Sequence, residues 1–161
     1  MNLQLSLKKN WFEMTKAGIK TEDYREITCY WAKRLVHNLT DVLIARNSHV
    51  NSFISDEDAY QYLTNPRNNF GFKNFETNTM TLGYPKSTDT ERILKIEHKG
   101  VEIRTGNPEW GAEEGKVYFV IKHGNIIKEY CDCTYPGVRG VSPPYCFMCN
   151  KAIEQEKKIN Q

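Results

Sequence analysis

The sequence predicts an α+β fold: a small, partly closed β-barrel flanked by short helices, followed by a C-terminal module clamped by a metal ion. Three observations lead there. The elements run strand, helix, strand, helix and then a series of strands, which is not the alternation of a doubly wound parallel sheet. The later runs are rich in β-branched and aromatic residues and broken by glycine-bearing tripeptides. Four of the five cysteines crowd into residues 131–149.

Each element has its own signal. In LQLSL, Leu3, Leu5 and Leu7 share one face with a period of two, so this is the first strand. NWFEMTKAG (10–18) reads as a helix with Asn10 as N-cap, Glu13 in the capping-box position and Gly18 as the left-handed stop. Trp11, Met14 and Thr15 share a face of it, flanked by Phe12. KTEDYREI (20–27) reads as extended, and YWAKRLVHNL (30–39) as helical with Trp31, Leu35 and Asn38 on one side. DVLIARN (41–47) fits a strand or a continuation of that helix. Ser55 and the acids after it mark another helix start. NPRNNFGF (65–72) is a loop. TNTMTLGY (77–84), RILKIEHKGVEIRT (92–105) and KVYFVIKHGNII (116–127) are strand-like, with turns or strand bends expected at HKG (98–100) and HGN (123–125).

At 161 residues the chain suits one domain with a small appendage. We divide it into a barrel over 1–128, with 40–74 as an insertion, and a zinc module with a polar tail over 129–161. With 39% hydrophobic and 26% charged residues, a packed core is expected and overall disorder is not. The net charge of +2 is too mild to argue for nucleic acid by itself. No apolar run approaches the ~18 residues of a membrane span, and the first ten residues do not read as a signal peptide. A cytoplasmic protein without a membrane partner is therefore expected. In such a compartment cysteines serve as ligands or thiols more often than as disulfides.

The charged strand is the first candidate site. Over residues 20–26 an extended chain puts Thr21, Asp23 and Arg25 on one face and Lys20, Glu22, Tyr24 and Glu26 on the other. Neither face is apolar, and such local inconsistency concentrates at functional sites. An edge strand whose charges pair with neighbours has the same appearance.

The spacing Gly18-x-Lys20-x-x-Asp23-x-Arg25, after a strand and a short helix, resembles the G-x-K-x-x-E-x-R motif of ASCH domains. The wider KNWFEMTKAGIKTEDYREITCYWAKRL (9–35) and GNPEWGAEEGKVYFVIKHGNII (106–127) are similar to the bacterial and phage members of that family, and the likeness covers most of residues 2–128 outside 40–70. The resemblance implies a PUA-like β-barrel whose motif residues line a cleft, and it implies RNA binding or, in some members, action on modified nucleosides or RNA cleavage. Asp23 departs from the family's Glu, keeping the charge on a shorter arm. Members that hydrolyse N4-acetylcytidine pair a threonine nucleophile with a lysine. Lys20 matches the lysine, but Asp23 stands at the threonine position, which argues against the same mechanism. A nuclease reading survives, with Lys20, Asp23 and Arg25 around a phosphorus transition state.

The residue types suit an RNA or nucleotide ligand. Lys20 and Arg25 supply donors for phosphate or a base carbonyl. Glu22 and Asp23 accept from exocyclic amines or a 2′-hydroxyl. Tyr24 and Trp31 offer stacking faces, or else core packing. Glu109 and Trp110, at the tip of the glycine- and proline-shaped GNPEWGAEEG (106–115), form either a cleft lip or a plug for the barrel end. His37, His49, His98 and His123 show no ligand spacing and read as surface residues.

The second candidate is Cys131-x-Cys133 followed, after twelve residues, by Cys146-x-x-Cys149. Two close pairs of thiols suit tetrahedral Zn²⁺, and the loop between them has too little apolar surface to order itself. A redox pair at Cys146 and Cys149, or free thiols, are the competing readings. Cys29 stands apart and reads as a buried thiol. The functional expectation is thus RNA or nucleotide binding at the motif. An enzyme on the same cleft, and a protein-interaction module using residues 40–74, are the other two classes.

Overall fold

The computed structural model describes residues 1–39 and 55–127, together with the backbone of two short strands at 138–139 and 145–146. The fold is α+β. A five-stranded sheet curls into a half-barrel, with three helices among the described residues packed against it. The sheet is built from β1 (Asn2–Leu7), β2 (Glu22–Glu26), β3 (Thr77–Leu82), β4 (Ile93–Thr105) and β5 (Val117–Ile126), in the order β1-β3-β4-β5-β2. β1 runs parallel to β3, and the other neighbours are antiparallel. β1 and β2 are therefore the two edges. The outlying β6 (Val138–Arg139) and β7 (Tyr145–Cys146) form a two-stranded antiparallel ribbon.

The period-two pattern of the first strand holds: Leu3, Leu5 and Leu7 are buried and their neighbours exposed. They join Met80, Leu94, Ile96, Phe119 and Ile121 in one core, which the helices α1 (Lys9–Lys16), α2 (Cys29–Leu35) and α3 (Asp56–Thr64) complete. α1 begins at Lys9, with Lys8 as an N-cap that makes no side-chain bond, so Asn10 lies inside the first turn. Burial of Phe12 and Thr15 sets the phase of this helix, and tertiary packing overrides the capping signal. α2 ends sooner than its sequence suggests. Val36 leaves the helix to bridge Phe72, and Asn38, expected on the helical face, has a positive φ of 50°.

α3 starts as its sequence predicts. Ser55 accepts from the Asp58 amide while the Asp58 carboxylate accepts from Ser55, a reciprocal capping box. Its Ala59, Tyr62 and Leu63 belong to the main core, so this part of the 40–74 segment is packed into the barrel. Cys29 is half-buried; its amide donates to Asp56 Oδ1 at 2.6 Å and its thiol lies 3.0 Å from the Ser55 carbonyl. These contacts tie the start of α2 to the start of α3.

The HKG and HGN tripeptides are not hairpin turns. β4 and β5 run through both, and register shifts between Ile96 and Val101 mark a bulge in β4 with Gly100 at φ 105°. Bulges of this kind bend the strand and increase its twist. The bend lets β3 and β5, which are not neighbours, touch across the inside of the sheet. Among the described residues no helix is long and apolar enough to cross a membrane.

Candidate functional site

Lys20 is placed by the end of α1. The Gly18 amide donates to the Thr15 carbonyl and the Ile19 amide to the Met14 carbonyl, each at 3.0 Å. This paired arrangement needs a left-handed residue at its corner, and Gly18 supplies it with φ 72°. The Lys20 amide shares the Met14 carbonyl at 3.2 Å, so the chain enters β2 with the lysine turned inward. Its ammonium donates to Asp23 Oδ1 at 2.8 Å and to the Glu22 carbonyl. The side chains of Lys20 and Asp23 are only 1% and 4% exposed. The rings of Trp11 and Tyr24 stand over the ammonium, at 5.9 and 4.9 Å to their centroids.

From Asp23 a chain of hydrogen bonds crosses the inside of the half-barrel. Asp23 Oδ2 lies 3.1 Å from His123 Nε2, and the His123 side chain is 2% exposed. His123 Nδ1 is 2.9 Å from Asn78 Nδ2, and Asn78 Oδ1 is 2.8 Å from His98 Nδ1. Asn78 is fully buried. Its two amide atoms fix both imidazoles. The Asn78 NH₂ donates to His123 Nδ1, so His123 carries its proton on Nε2 and gives it to Asp23. The Asn78 carbonyl accepts from His98 Nδ1–H, which leaves His98 Nε2 as a bare acceptor in the neutral ring.

The electrostatics follow from burial opposed by partners. Burial alone would raise the Asp23 carboxyl, but the hydrogen bond from His123 and the charge of Lys20 overcome it and hold the pKa at about 2. Burial lowers the Lys20 ammonium, and the Asp23 carboxylate opposes that. Burial, with a smaller effect from His123, brings His98 down to about 4, so it is neutral near pH 7.

The opposite face of β2 carries a second assembly. Tyr24 donates to Glu22 Oε1 at 2.7 Å and accepts from the Asn107 amide at 2.9 Å. Burial pushes the phenol up, and the Glu22 carboxylate adds to that. Arg104 bonds Glu22 and Glu102, and Lys122 bonds Glu102, so the charges on this face neutralise one another. The loop carrying Glu109 and Trp110 closes over it. A Cβ at Gly106 would lie 2.7 Å from the Tyr24 ring, and one at Gly111 would lie 2.6 Å from the Trp11 ring. Glu109 is exposed and Trp110 half-buried in a short 3₁₀ turn, with the Asn107 side chain accepting from the Glu109 amide.

Arg25 points elsewhere. Its guanidinium stands 5.0 Å from the Trp31 ring centroid, and that of Arg34 stands 5.2 Å from the same ring. Arg25 donates to the Ser6 carbonyl at 3.3 Å and Arg34 to the Gln4 carbonyl at 3.1 Å, both on edge strand β1. The two arginines thus bridge the open seam between the edges of the half-barrel, with Trp31 among them. Among the described residues neither has a carboxylate partner within ion-pair distance. Among the described residues the buried Arg25 Nε also has no hydrogen-bond partner. Tyr30, 60% exposed, borders the cluster, and its hydroxyl accepts from Arg34 at 2.9 Å.

The structure therefore divides the candidate residues. Lys20, Glu22, Asp23 and Tyr24 gather beneath α1 and the 106–111 loop, and Arg25 and Trp31 face the seam. Sequence reasoning missed His123, Asn78, His98 and Arg34. The two histidines read as surface residues, yet both belong to the network and the His123 side chain is buried. The odd-numbered register of Phe119, Ile121 and His123 on β5 was the available signal, since it sets His123 on the same face as two core residues. Of the four candidate zinc ligands, Cys131, Cys133 and Cys149 lie outside the described residues, and Cys146 is described only as backbone within β7. Comparison of the chain with protein-family models, with curated proteins and with solved structures gave no match.

Proposed function

We propose that the protein binds single-stranded RNA or a nucleotide at the seam between β1 and β2, as an ASCH-type barrel of the PUA-like class. The observation that carries this reading is the pair Arg25 and Arg34, which share the Trp31 ring without a carboxylate partner among the described residues. Burial lowers the Arg25 pKa, and although Asp23 opposes this, the charge of Arg34 adds to it. A phosphate between the two guanidiniums relieves that repulsion and takes donors that now reach only neutral carbonyls and the Tyr30 hydroxyl. Trp31 and the exposed Tyr30 offer flat surfaces to an unstacked base. In this reading the buried Lys20–Asp23 pair supports β2 from beneath, and zinc on Cys131, Cys133, Cys146 and Cys149 braces the C-terminal segment. The test is binding of a labelled single-stranded RNA across a salt series. Arg25→Ala and Arg34→Ala should each flatten the salt slope by about one phosphate contact. An absence of binding at low salt, or a slope unchanged in both variants, refutes the reading.

A second reading, catalysis on a modified nucleoside or on RNA, is favoured by one observation. Lys20, Asp23 and His123 form a continuous buried hydrogen-bonded set of the kind that acid–base chemistry uses. It requires the Trp11, Tyr24 and 106–111 cover to open. Turnover that survives Lys20→Met in the folded protein removes this reading.

A further inference from the structure

The seam holds its arginines in a defined arrangement. The Met1 carbonyl accepts from the amide of Glu76, the residue before β3. Alternation along β1 then turns the backbone groups of Leu3, Leu5 and Leu7 toward β3 and leaves the carbonyls of Gln4 and Ser6 on the free edge. Arg34 holds the first at 3.1 Å and Arg25 the second at 3.3 Å. Two residues of extended chain separate these carbonyls by roughly 6.6 Å, so the guanidiniums stand side by side along the edge. Arg25 also reaches across the gap. Its Nη1 donates to the Tyr24 carbonyl at 3.2 Å. That carbonyl lies on the free edge of β2, because the Thr21 carbonyl, one alternation out of phase, accepts from the His123 amide of β5. One guanidinium thus forms a rung between the two edge strands.

Three features select the group that fits there. The first is charge. The Asp23 carboxylate already has Lys20 at 2.8 Å, and among the described residues neither arginine has an ion-pair partner. The second is a further donor. The Tyr30 hydroxyl accepts from Arg34 Nη1 at 2.9 Å, which leaves the phenolic proton without an acceptor among the described residues, on a side chain that is 60% exposed. The third is that these donors are held weakly. Each bond that the two arginines make among the described residues goes to a neutral oxygen, and Arg25 Nε makes none. An anionic ligand therefore competes only with uncharged acceptors. A phosphate monoester answers all three features. Near pH 7 it carries about two negative charges and presents three unesterified oxygens, whereas a diester within a strand carries a single charge and presents fewer.

We propose that the seam takes a terminal phosphate monoester, at the end of an RNA strand or on a mononucleotide, with Arg25, Arg34 and the Tyr30 hydroxyl as its donors. This rests on the RNA or nucleotide reading and narrows it from any phosphate to the end of a chain. A phosphate whose oxygens each stand ~2.8 Å from a donor spans two guanidiniums at this separation. Arg25 loosens its hold on the Ser6 carbonyl and gains a charged acceptor in exchange. The adjoining base lies against the exposed Tyr30 ring, which stands edge-on to Trp31 at 5.2 Å. Internal phosphodiesters bind more weakly, because each leaves a donor and part of the positive charge unanswered.

Anisotropy titrations of the full-length protein with a short oligouridine, labelled on an internal base, test this at one pH and one salt concentration. The strand is used with hydroxyls at both ends, with a 5′-phosphate, with a 3′-phosphate, and with the methyl ester of whichever phosphate binds better. One phosphorylated strand should bind about tenfold or more tighter than the hydroxyl-ended one, and the methyl ester should lose most of that gain. The preferred end says which terminus the seam takes. Uridine monophosphate should displace the strand and uridine should not. Tyr30→Phe, which removes only a solvent-facing hydroxyl, should lower the ratio of phosphate-ended to hydroxyl-ended affinity by about threefold or more. The inference falls if the hydroxyl-ended strand binds as tightly as both phosphorylated strands, or if the methyl ester binds as tightly as the free monoester. In either event strands still bind, and the RNA reading stands without it. If no strand and no nucleotide binds at low salt, the RNA reading fails and this inference fails with it. The strands compared on the unaltered protein decide even where a variant fails to fold.

Discussion

Asp23 and His123 meet side chain to side chain, Oδ2 to Nε2 at 3.1 Å, although a hundred residues separate them in sequence. Asp23 pairs in register with Ile121 on β5, so His123 is its diagonal neighbour on the same buried face. The contact orients the imidazole, and the carboxylate also holds the ammonium of Lys20. One side chain thereby joins the end of α1, the edge strand β2 and the interior of the sheet.

Removing one member of the buried pair should cost far more than removing both. Asp23→Leu leaves the Lys20 ammonium shut in without its counter-charge, and Lys20→Met does the same to the Asp23 carboxylate, a loss of about 3–5 kcal/mol in each case. The double variant Lys20→Met/Asp23→Leu should recover more than half of it. Urea unfolding of the two single variants and the double variant gives the coupling directly.

Stability should fall in two steps on acidification. His98 has a folded pKa near 4, below its unfolded value of about 6.5, so the unfolded chain takes up a proton first. That contribution is complete above pH 6.5 and is lost as the pH falls toward 4. Asp23 has a folded pKa of about 2, below its unfolded value near 3.9, so its contribution is lost between about pH 5 and 2. Unfolding midpoints measured from pH 8 to 2 should show both limbs, and His98→Phe should abolish the upper one only.

The loop over Lys20 depends on two missing side chains. Gly111 has φ 92°, and a Cβ there would stand 2.6 Å from the Trp11 ring. Gly111→Ala should therefore destabilise by about 1–3 kcal/mol through backbone strain and displacement of the indole. Near-ultraviolet circular dichroism reads the displacement, and urea unfolding reads the cost.

Trp31 should matter to binding beyond its place in the core. If an unstacked base lies on the arginine–tryptophan cluster, Trp31→Leu should weaken single-stranded RNA by about 1–3 kcal/mol and leave the salt slope nearly unchanged. Anisotropy titrations at two salt concentrations separate this from the arginine variants.

The four-cysteine reading makes a chemical prediction of its own. Purified protein should carry about one equivalent of Zn²⁺, and Cys133→Ser with Cys149→Ser should lower it well below half. Elemental analysis decides it.

The α+β class and the general position of the five strands of the main sheet were legible from local pattern, whereas β6 and β7 fall where a loop was expected. Leu3, Leu5 and Leu7 alternate, Ser55 caps the helix it was read to start, and Gly18 stops α1 where glycine must. The errors arose where tertiary contacts outweigh local signals. Asn10 lost its capping role to the burial of Phe12 and Thr15, and Val36 left its helix to pair with Phe72. At HKG, where a turn or a strand bend was expected, the bend is what forms. The unusual charge of residues 20–26 is visible in the sequence, but how those side chains group is not. Nothing local says that Lys20 turns toward Asp23 or that Arg25 turns toward Trp31. The pairing of Asn78 with His98 and His123 depends on curvature, which brings β3 and β5 together and has no signature in either strand alone.

The edges of the sheet are both early in the chain and their partners are late. Asn2 aligns with Thr77, and Glu22 with Lys122. A ribosome that has made only the first seventy residues has thus released two strands with nothing to pair to. β1 can pair once β3 is out, but β2 must wait for β5, so the half-barrel is completed by contacts distant in sequence and the unpaired edge stays open to chaperones or to misassociation until then.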